Sequence, residues 1–227
     1  MIALVGANSW LVERLLPVLR QVDSVFLFGR SPPNYLDRFN EQGMAVTFAE
    51  TDYHDPTPLV RALSDEKHLT VVFAGVGTKP NLIVNTSQAE VLEATSAHLV
   101  FPFCVVGQLL PGMMKHQFGR FIFIGSTHGS RGMAGSAVYS TAKSGQKGLS
   151  RSIAVEYGRF HITSNVIDIG FLEGGYSDHL SDKARESILE NTPGRRAVEV
   201  RDVANAILAL IDNDSINGSV VNVDLGA

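Results

Sequence analysis

The chain has 227 residues, 44% of them hydrophobic and 19% charged, and its formal net charge is -4. That length suits one sizeable core, and mild acidity without a basic run gives nucleic acid little to hold. The single cysteine, Cys104, excludes an internal disulfide and suits a reducing cytoplasm, where its expected part is helix packing. No apolar run approaches the roughly 20 residues of a membrane span, and a strand beginning at residue 2 leaves no secretory leader, so neither membrane nor export is expected.

Read in chain order, β-rich runs alternate with helical patterns. Strands are expected at 2–5, 24–28, 45–48, 69–73, 120–124, 163–167 and 219–223, and helices near 11–20, 57–64, 87–115, 137–158, 179–190 and 200–212. Several strands are apolar without alternation, as expected when helices cover both faces of a sheet. The pattern implies an α/β fold: a single Rossmann-like domain over 1–227, with a doubly wound parallel sheet of about seven strands, helices on both faces and ligands beyond the carboxyl ends of the strands. The longest stretch without a strand, 171–199, opens with "FLEGGYSD" and closes with "NTPGRR" around a short helix. It is either a substrate lid or a solvated connection.

The first strand passes into "VGANSWLVERLL". Gly6 supplies a tight turn and an amphipathic helix follows, the beginning of a strand–turn–helix that cradles a dinucleotide pyrophosphate. Two of the three glycines usual in such a turn are replaced. Asn8 and Ser9 can contact a phosphate or cap the helix, and capping is the expected duty of at least one of them.

The chemistry concentrates in "GRFIFIGSTHGSRGMAGSAVYSTAKSG". Ser126 lies just past the strand at 120–124. Tyr139 and Lys143, four apart at a helix start, project from one face. A phenol titrates near 10, so bringing it to ~7 takes about 4 kcal/mol. An ammonium at about 4 Å in an effective dielectric near 20 supplies roughly that much. Lys143 is therefore expected to make Tyr139 an acid or base, while Ser126 donates a hydrogen bond to a carbonyl or alkoxide.

In order and spacing, Ser126, Tyr139 and Lys143 resemble the trio of the short-chain dehydrogenase/reductase family. The likeness spans nearly the whole chain: "GRFIFIGS" resembles that family's serine strand, "SNVIDIG" its asparagine-to-proline-glycine segment and "INGSVVNVDLGA" its closing strand. The resemblance implies that the tyrosine exchanges a proton, that the lysine tunes it and holds the nicotinamide ribose, and that hydride passes between cofactor and substrate carbon. Against the family's TGxxxGxG turn, Gly6 is kept, Trp10 stands where backbone approaches the pyrophosphate, and Val12 stands where helix packs on strand. Forcing carbons into such contacts costs about 1–3 kcal/mol, which a small helix shift relieves.

Other positions follow from the same likeness. Arg30, after the second strand, is either a ligand of a 2′-phosphate, favouring NADP(H) over NAD(H), or a surface cation. Asp52 matches an adenine-contacting aspartate, whereas Asp55 suits capping of the next helix. Ala74 and Gly75 match the end of an Asn-Asn-Ala-Gly turn. His98 falls where the family has a fourth catalytic residue, an asparagine whose backbone carbonyl holds a water leading to the lysine; it is either a relay or a packed histidine. Ile169 replaces a proline, Gly170 is retained, and Gly174 stands near a usual threonine. His128, Met133, Phe171 and Tyr176 either line a substrate pocket or serve packing. No His-Glu-x-x-His or similar spacing occurs, so no metal is expected. The implied protein is a cytoplasmic oxidoreductase for a small ketone or secondary alcohol, a homodimer or homotetramer paired through the helices at 87–115 and 137–158. The alternative is a catalytically impaired binding or regulatory module on the same fold.

Overall fold

The computed structural model describes residues 1–227 except Met44, Ala45, Val76 and Lys79, and excludes the side chains of His128, Ser130, Tyr176 and His179. In chain order the elements are β1 (Ile2–Val5), α1 (Trp10–Leu19), β2 (Val25–Gly29), α2 (Leu36–Glu41), β3 (Thr47–Glu50), α3 (Thr57–Leu63), β4 (Thr70–Phe73), α4 (Gln88–Thr95), a π-helical turn (Ser96–Val100), α5 (Phe101–His116), β5 (Gly119–Ile124), α6 (Thr127–Arg131), α7 (Ala137–Tyr157), β6 (Ile162–Ile169), α8 (Asp182–Asn191), α9 (Val200–Asp212) and β7 (Val220–Val223). The strands form one parallel sheet in the order β3-β2-β1-β4-β5-β6-β7. The order reverses between β1 and β4, the switch point where such sheets open a ligand crevice at their carboxyl ends.

Side-chain alternation along the strands sorts the core into two layers. Ile2 and Leu4 join Leu11, Val12, Leu15, Leu16 and Leu19 of α1 and Val203, Ile207 and Leu210 of α9 on one face. Ala3 and Val5 join Leu59 of α3, Phe101, Val105 and Leu109 of α5 and Ile153 of α7 on the other. Each fully buried Leu or Phe contributes about 1.5–3 kcal/mol. Val12 belongs to the first layer and is fully buried, so its extra carbons fill core space at the position of the lost glycine.

Several elements differ from the sequence expectation: β3, expected at 45–48, spans Thr47–Glu50, with Ala45 outside the described residues. The helix expected at 87–115 is interrupted by the π turn, and β6 extends two residues beyond its expected end, through Asp168 to Ile169. The short helices α2 and α6 are additional. The expectation that no apolar run reaches membrane length is corrected: the continuous helical stretch Gln88–His116 is long and apolar enough by length and composition, with half of its most apolar window buried inside the fold. Its apolarity has a packing reason, since Phe101, Val105, Val106, Leu109 and Leu110 face the sheet.

Candidate active site

The crevice begins with two glycines. Gly6 ends β1 at φ +103° and Gly75 follows β4 at φ +76°, a region only glycine enters freely. A methyl group at Gly6 would stand 2.8 Å from the Gly75 carbonyl oxygen, so the two turns touch backbone to backbone. Ala74 donates its amide to the Val5 carbonyl beside them. Ser9 caps α1 by accepting from the Leu11 amide at 3.3 Å. Asn8 instead reaches Ser31 beyond β2, its Nδ2 donating to Oγ at 3.4 Å. Trp10, the first residue of α1, lies against the Gly174–Gly175 turn that follows β6, and a methyl at Gly174 would meet its Cζ2 at 2.1 Å.

Across the switch point, β5 and α7 assemble the expected trio. Ser126 follows β5 and shares a side-chain hydrogen bond with Tyr139, which borders a cavity of about 460 Å³. Lys143, one turn along α7, is 1% exposed; its Nζ donates to the Ile124 carbonyl at 2.6 Å and stands 5.6 Å from the Tyr139 ring centroid. Burial pushes the phenol up to about 12, opposed by the Ser126 bond and reinforced by the nearby Asp168 charge. Burial also drives the Lys143 ammonium down to about 7, with Asp168 acting in the opposite direction. This corrects the expectation that Lys143 brings the phenol towards neutrality here. The site is dry enough to penalise both charged forms, and the ammonium is spent on a backbone carbonyl.

His98 sits in the π turn, a distortion common at functional sites, and is fully buried. Its ring meets the Tyr139 ring edge-on at 5.7 Å and lies beside Gly75, where an added methyl would touch both His98 and Lys143 Nζ. The His98 carbonyl, expected to hold a water, accepts from Gln146 Nε2 at 2.6 Å. Gln146, Lys147 and Asp168 were not singled out in the sequence. Lys147 stands one further turn along α7 and pairs with Asp168 Oδ2 at 2.5 Å.

The cavity runs from Tyr139 past Gly77, Thr78 and Asn81 to Arg30 and Tyr53. Arg30 lies 5.3 Å from the Tyr53 ring centroid and 3.8 Å from the Glu93 carboxylate on α4, so its charge already has a partner. Asp52 accepts from the His54 amide, while Asp55 takes the Thr57 amide at the start of α3. Met133 is exposed at 42% and Phe171 offers its carbonyl to Val198; neither is among the cavity's lining residues. Gly170 packs on Asp224, where a methyl would meet Cα at 2.8 Å. The side chains of His128 and Tyr176 lie outside the described residues.

A nicotinamide dinucleotide fits these residues at both ends: Tyr139 and Lys143 beside Gly75 at one, Arg30 and Tyr53 at the other. Between them the Gly6–Gly75 approach keeps the turn tight, and the capped N-terminus of α1 offers amide donors and a favourable dipole. The Trp10 indole, on the first residue of α1, lies against the Gly174–Gly175 turn at that N-terminus.

Comparison with known proteins agrees with this geometry. The sequence family described as Enoyl-(Acyl carrier protein) reductase matches residues 38–227, beginning after the altered turn. The chain is 35% identical to the 3-oxoacyl-(acyl-carrier-protein) reductase FabG of Haemophilus influenzae, over 67% of this chain and 64% of that protein. It is 31% identical to Nodulation protein G of a Rhizobium species, over 99% of this chain and 86% of that one. A crystal structure titled as a putative 2-deoxy-d-gluconate 3-dehydrogenase from Agrobacterium tumefaciens with bound NADP superposes with a TM-score of 0.88 at 26% identity, covering 99% of this chain and 95% of that one. With its sheet order, its serine–tyrosine–lysine trio and a family match over most of its length, this chain belongs to the short-chain dehydrogenase/reductase family of oxidoreductases.

Proposed function

We propose that the chain is an NADP(H)-preferring oxidoreductase that interconverts a ketone and a secondary alcohol. One observation carries this reading: the Ser126–Tyr139 hydrogen bond stands over a fully buried Lys143 at the carboxyl edge of the sheet, next to the switch point. A buried lysine is costly, and packing alone gives no reason to keep one. When bound, the nicotinamide supplies hydride exchange at the substrate carbon. Tyr139 gives its proton to the substrate oxygen in reduction and takes it back in oxidation, because it lines the cavity and its hydroxyl is held by Ser126. Ser126 donates to the same oxygen and fixes its position. Lys143 faces the phenolate that forms, so its ammonium counts most when Tyr139 has given up its proton.

The segment 171–199 acts as the substrate lid. Its bridge between Leu172 and Val198 closes it into a loop over the carboxyl edge, and its Gly174–Gly175 turn touches α1. Subunits pair through the helices at 87–115 and 137–158 as a homodimer or homotetramer in the cytoplasm; Phe103, 61% exposed, and Val155, 87% exposed, offer apolar surface there. The NADP-bound relative and the position of Arg30 support a phosphorylated cofactor.

A second reading, a binding or regulatory module without turnover, is favoured by the indole seated on the Gly174–Gly175 turn. Steady-state NADPH oxidation separates the two, with a 3-oxoacyl thioester as the first substrate because of the FabG likeness. Turnover that falls by about 10³-fold in Tyr139→Phe while NADPH binding persists supports the enzyme. Absence of NADPH binding to the unaltered protein supports the module.

A further inference from the structure

β6 enters the core as a fully buried strand, yet its seventh residue is an aspartate. Asp168 is 2% exposed, far below what a lone carboxylate tolerates without a partner. Lys147 provides one from α7, its Nζ 2.5 Å from Oδ2. The other oxygen lies over the end of β5: a methyl at Gly125 would stand 2.1 Å from Asp168 Oδ1. Gly125 is peptide-bonded to Ile124, whose carbonyl receives Lys143 Nζ at 2.6 Å. The Asp168 carboxylate therefore packs against Gly125 while the Lys143 ammonium bonds the carbonyl of the residue before it, and Tyr139, Lys143 and Lys147 follow one another at four-residue steps along α7.

We propose that Asp168 is a positioning residue for the tyrosine–lysine pair: held by Lys147, its buried carboxylate is the counter-charge that sets how readily Lys143 carries its proton. The electrostatics run the same way. Asp168 opposes the effect of burial on Lys143, and with burial it favours the protonated Tyr139 phenol. Lys147 moderates both effects by neutralising part of that charge. The elements packed against β6 bring further groups to this region. From the end of β5 come Gly125 and the Ile124 carbonyl that receives Lys143; β7 presents Asn222 as register partner; Tyr139 on α7 feels the Asp168 charge; and His98 stands with Lys143 Nζ beside Gly75. In turnover, which rests on the oxidoreductase reading, this charge would keep both protons in place for reduction.

The arrangement predicts opposite responses from the two members of one ion pair. In the cofactor-free protein labelled with ¹³C at lysine Cε, an NMR pH titration follows Lys143, assigned by loss of its signal in Lys143→Arg. Asp168→Asn lowers the Lys143 midpoint by about one pH unit or more, and Lys147→Met raises it by a similar amount. Asp168→Glu stays near the unaltered value. A merely structural pair would lower thermal stability in both variants and leave the midpoint unmoved. Midpoints that shift in the same direction, or neither shifting, overturn the proposal. Should Asp168→Asn fail to fold, Lys147→Met decides alone: a rise supports the proposal, and no change or a fall overturns it. The measurement needs no substrate, so failure of the oxidoreductase reading leaves it interpretable.

Discussion

The Trp10 indole lies against the backbone of Gly174 so closely that no side chain could stand between them; even a methyl there would sit 2.1 Å from Cζ2. The residue that replaces a turn glycine is thus matched by a glycine pair on the facing segment, and Arg14 adds a guanidinium 4.1 Å from the indole centroid. The two sides of the crevice are held together by this contact. Because Trp10 is the only tryptophan, its fluorescence reports the contact directly. NADPH is expected to change the emission as the indole leaves the turn. Trp10→Gly is expected to tighten NADPH binding about 10-fold while lowering stability by about 2–4 kcal/mol through lost aromatic packing. Titration calorimetry and urea unfolding check the two halves, and weaker binding in Trp10→Gly would mean that the indole is itself a cofactor contact.

Arg30 and Glu93 set a second expectation, on cofactor choice. The pair is exposed and 3.8 Å apart, so its own contribution to stability is small. A 2′-phosphate would compete with Glu93 for the same guanidinium. Glu93→Gln is therefore expected to raise the NADPH-over-NADH preference about 3–10-fold, and Arg30→Ala to abolish it. Dissociation constants for both cofactors, measured at two salt concentrations, test this. Equal preference in Arg30→Ala and the unaltered protein would place 2′-phosphate recognition elsewhere.

Much of this arrangement was legible in the sequence because apolar runs and turn residues report it directly. β1 lies where its uninterrupted apolar run places it, and the trio follows from Ser126 ending one strand and Tyr139 and Lys143 sharing a helix face. What stayed hidden depends on partners distant in sequence. An apolar reading of β6 stops at Ile167 because Asp168 interrupts it; the strand continues because Lys147, 21 positions earlier, pairs with that charge. The π turn leaves the apolar pattern of the long helix intact, so only the backbone reveals it. β3, at the sheet edge with partly exposed ends, has no continuous apolar run to fix its bounds. The Trp10–Gly174 match required knowing that the segment after β6 folds over α1. The pairing of Arg30 with Glu93 was not legible because Glu93 comes from a helix 63 positions on, whose approach the local sequence does not encode.

Gln146 joins the π turn to α7. It is fully buried, donates to the His98 carbonyl at 2.6 Å, and its Oε1 has no hydrogen-bond partner among the described residues. Gln146→Ala removes that donor and leaves a void, an expected loss of about 2–3 kcal/mol in urea unfolding. His98 meets Tyr139 edge-on, so loosening its turn should also lower kcat more than it raises KM. An unchanged kcat would make the π turn a packing feature alone.

Lys143 gives the stability curve a definite slope. Its ammonium titrates at about 7 in the folded chain against an unfolded value of 10.5. Between those limits the unfolded state binds the extra proton, so this group makes stability rise with pH across the window; its cost is fully present below about 7 and gone above about 10.5. Tyr139 works the other way but higher: with its phenol pushed from 10.0 up to about 12, the folded state keeps a proton that the unfolded state has lost, so stability falls only above pH 10. Lys143→Met should remove the first dependence. Its lost bond to the Ile124 carbonyl offsets part of the gain, leaving the variant about 2–4 kcal/mol more stable than the unaltered protein at pH 6. The advantage should vanish or reverse by pH 10, where only the lost bond remains, while turnover is lost at every pH. Chemical unfolding at pH 6, 8 and 10 measures the trend, and an advantage that instead grows with pH would show that the buried ammonium is stabilised beyond its unfolded state, with its cost met by the charges around it.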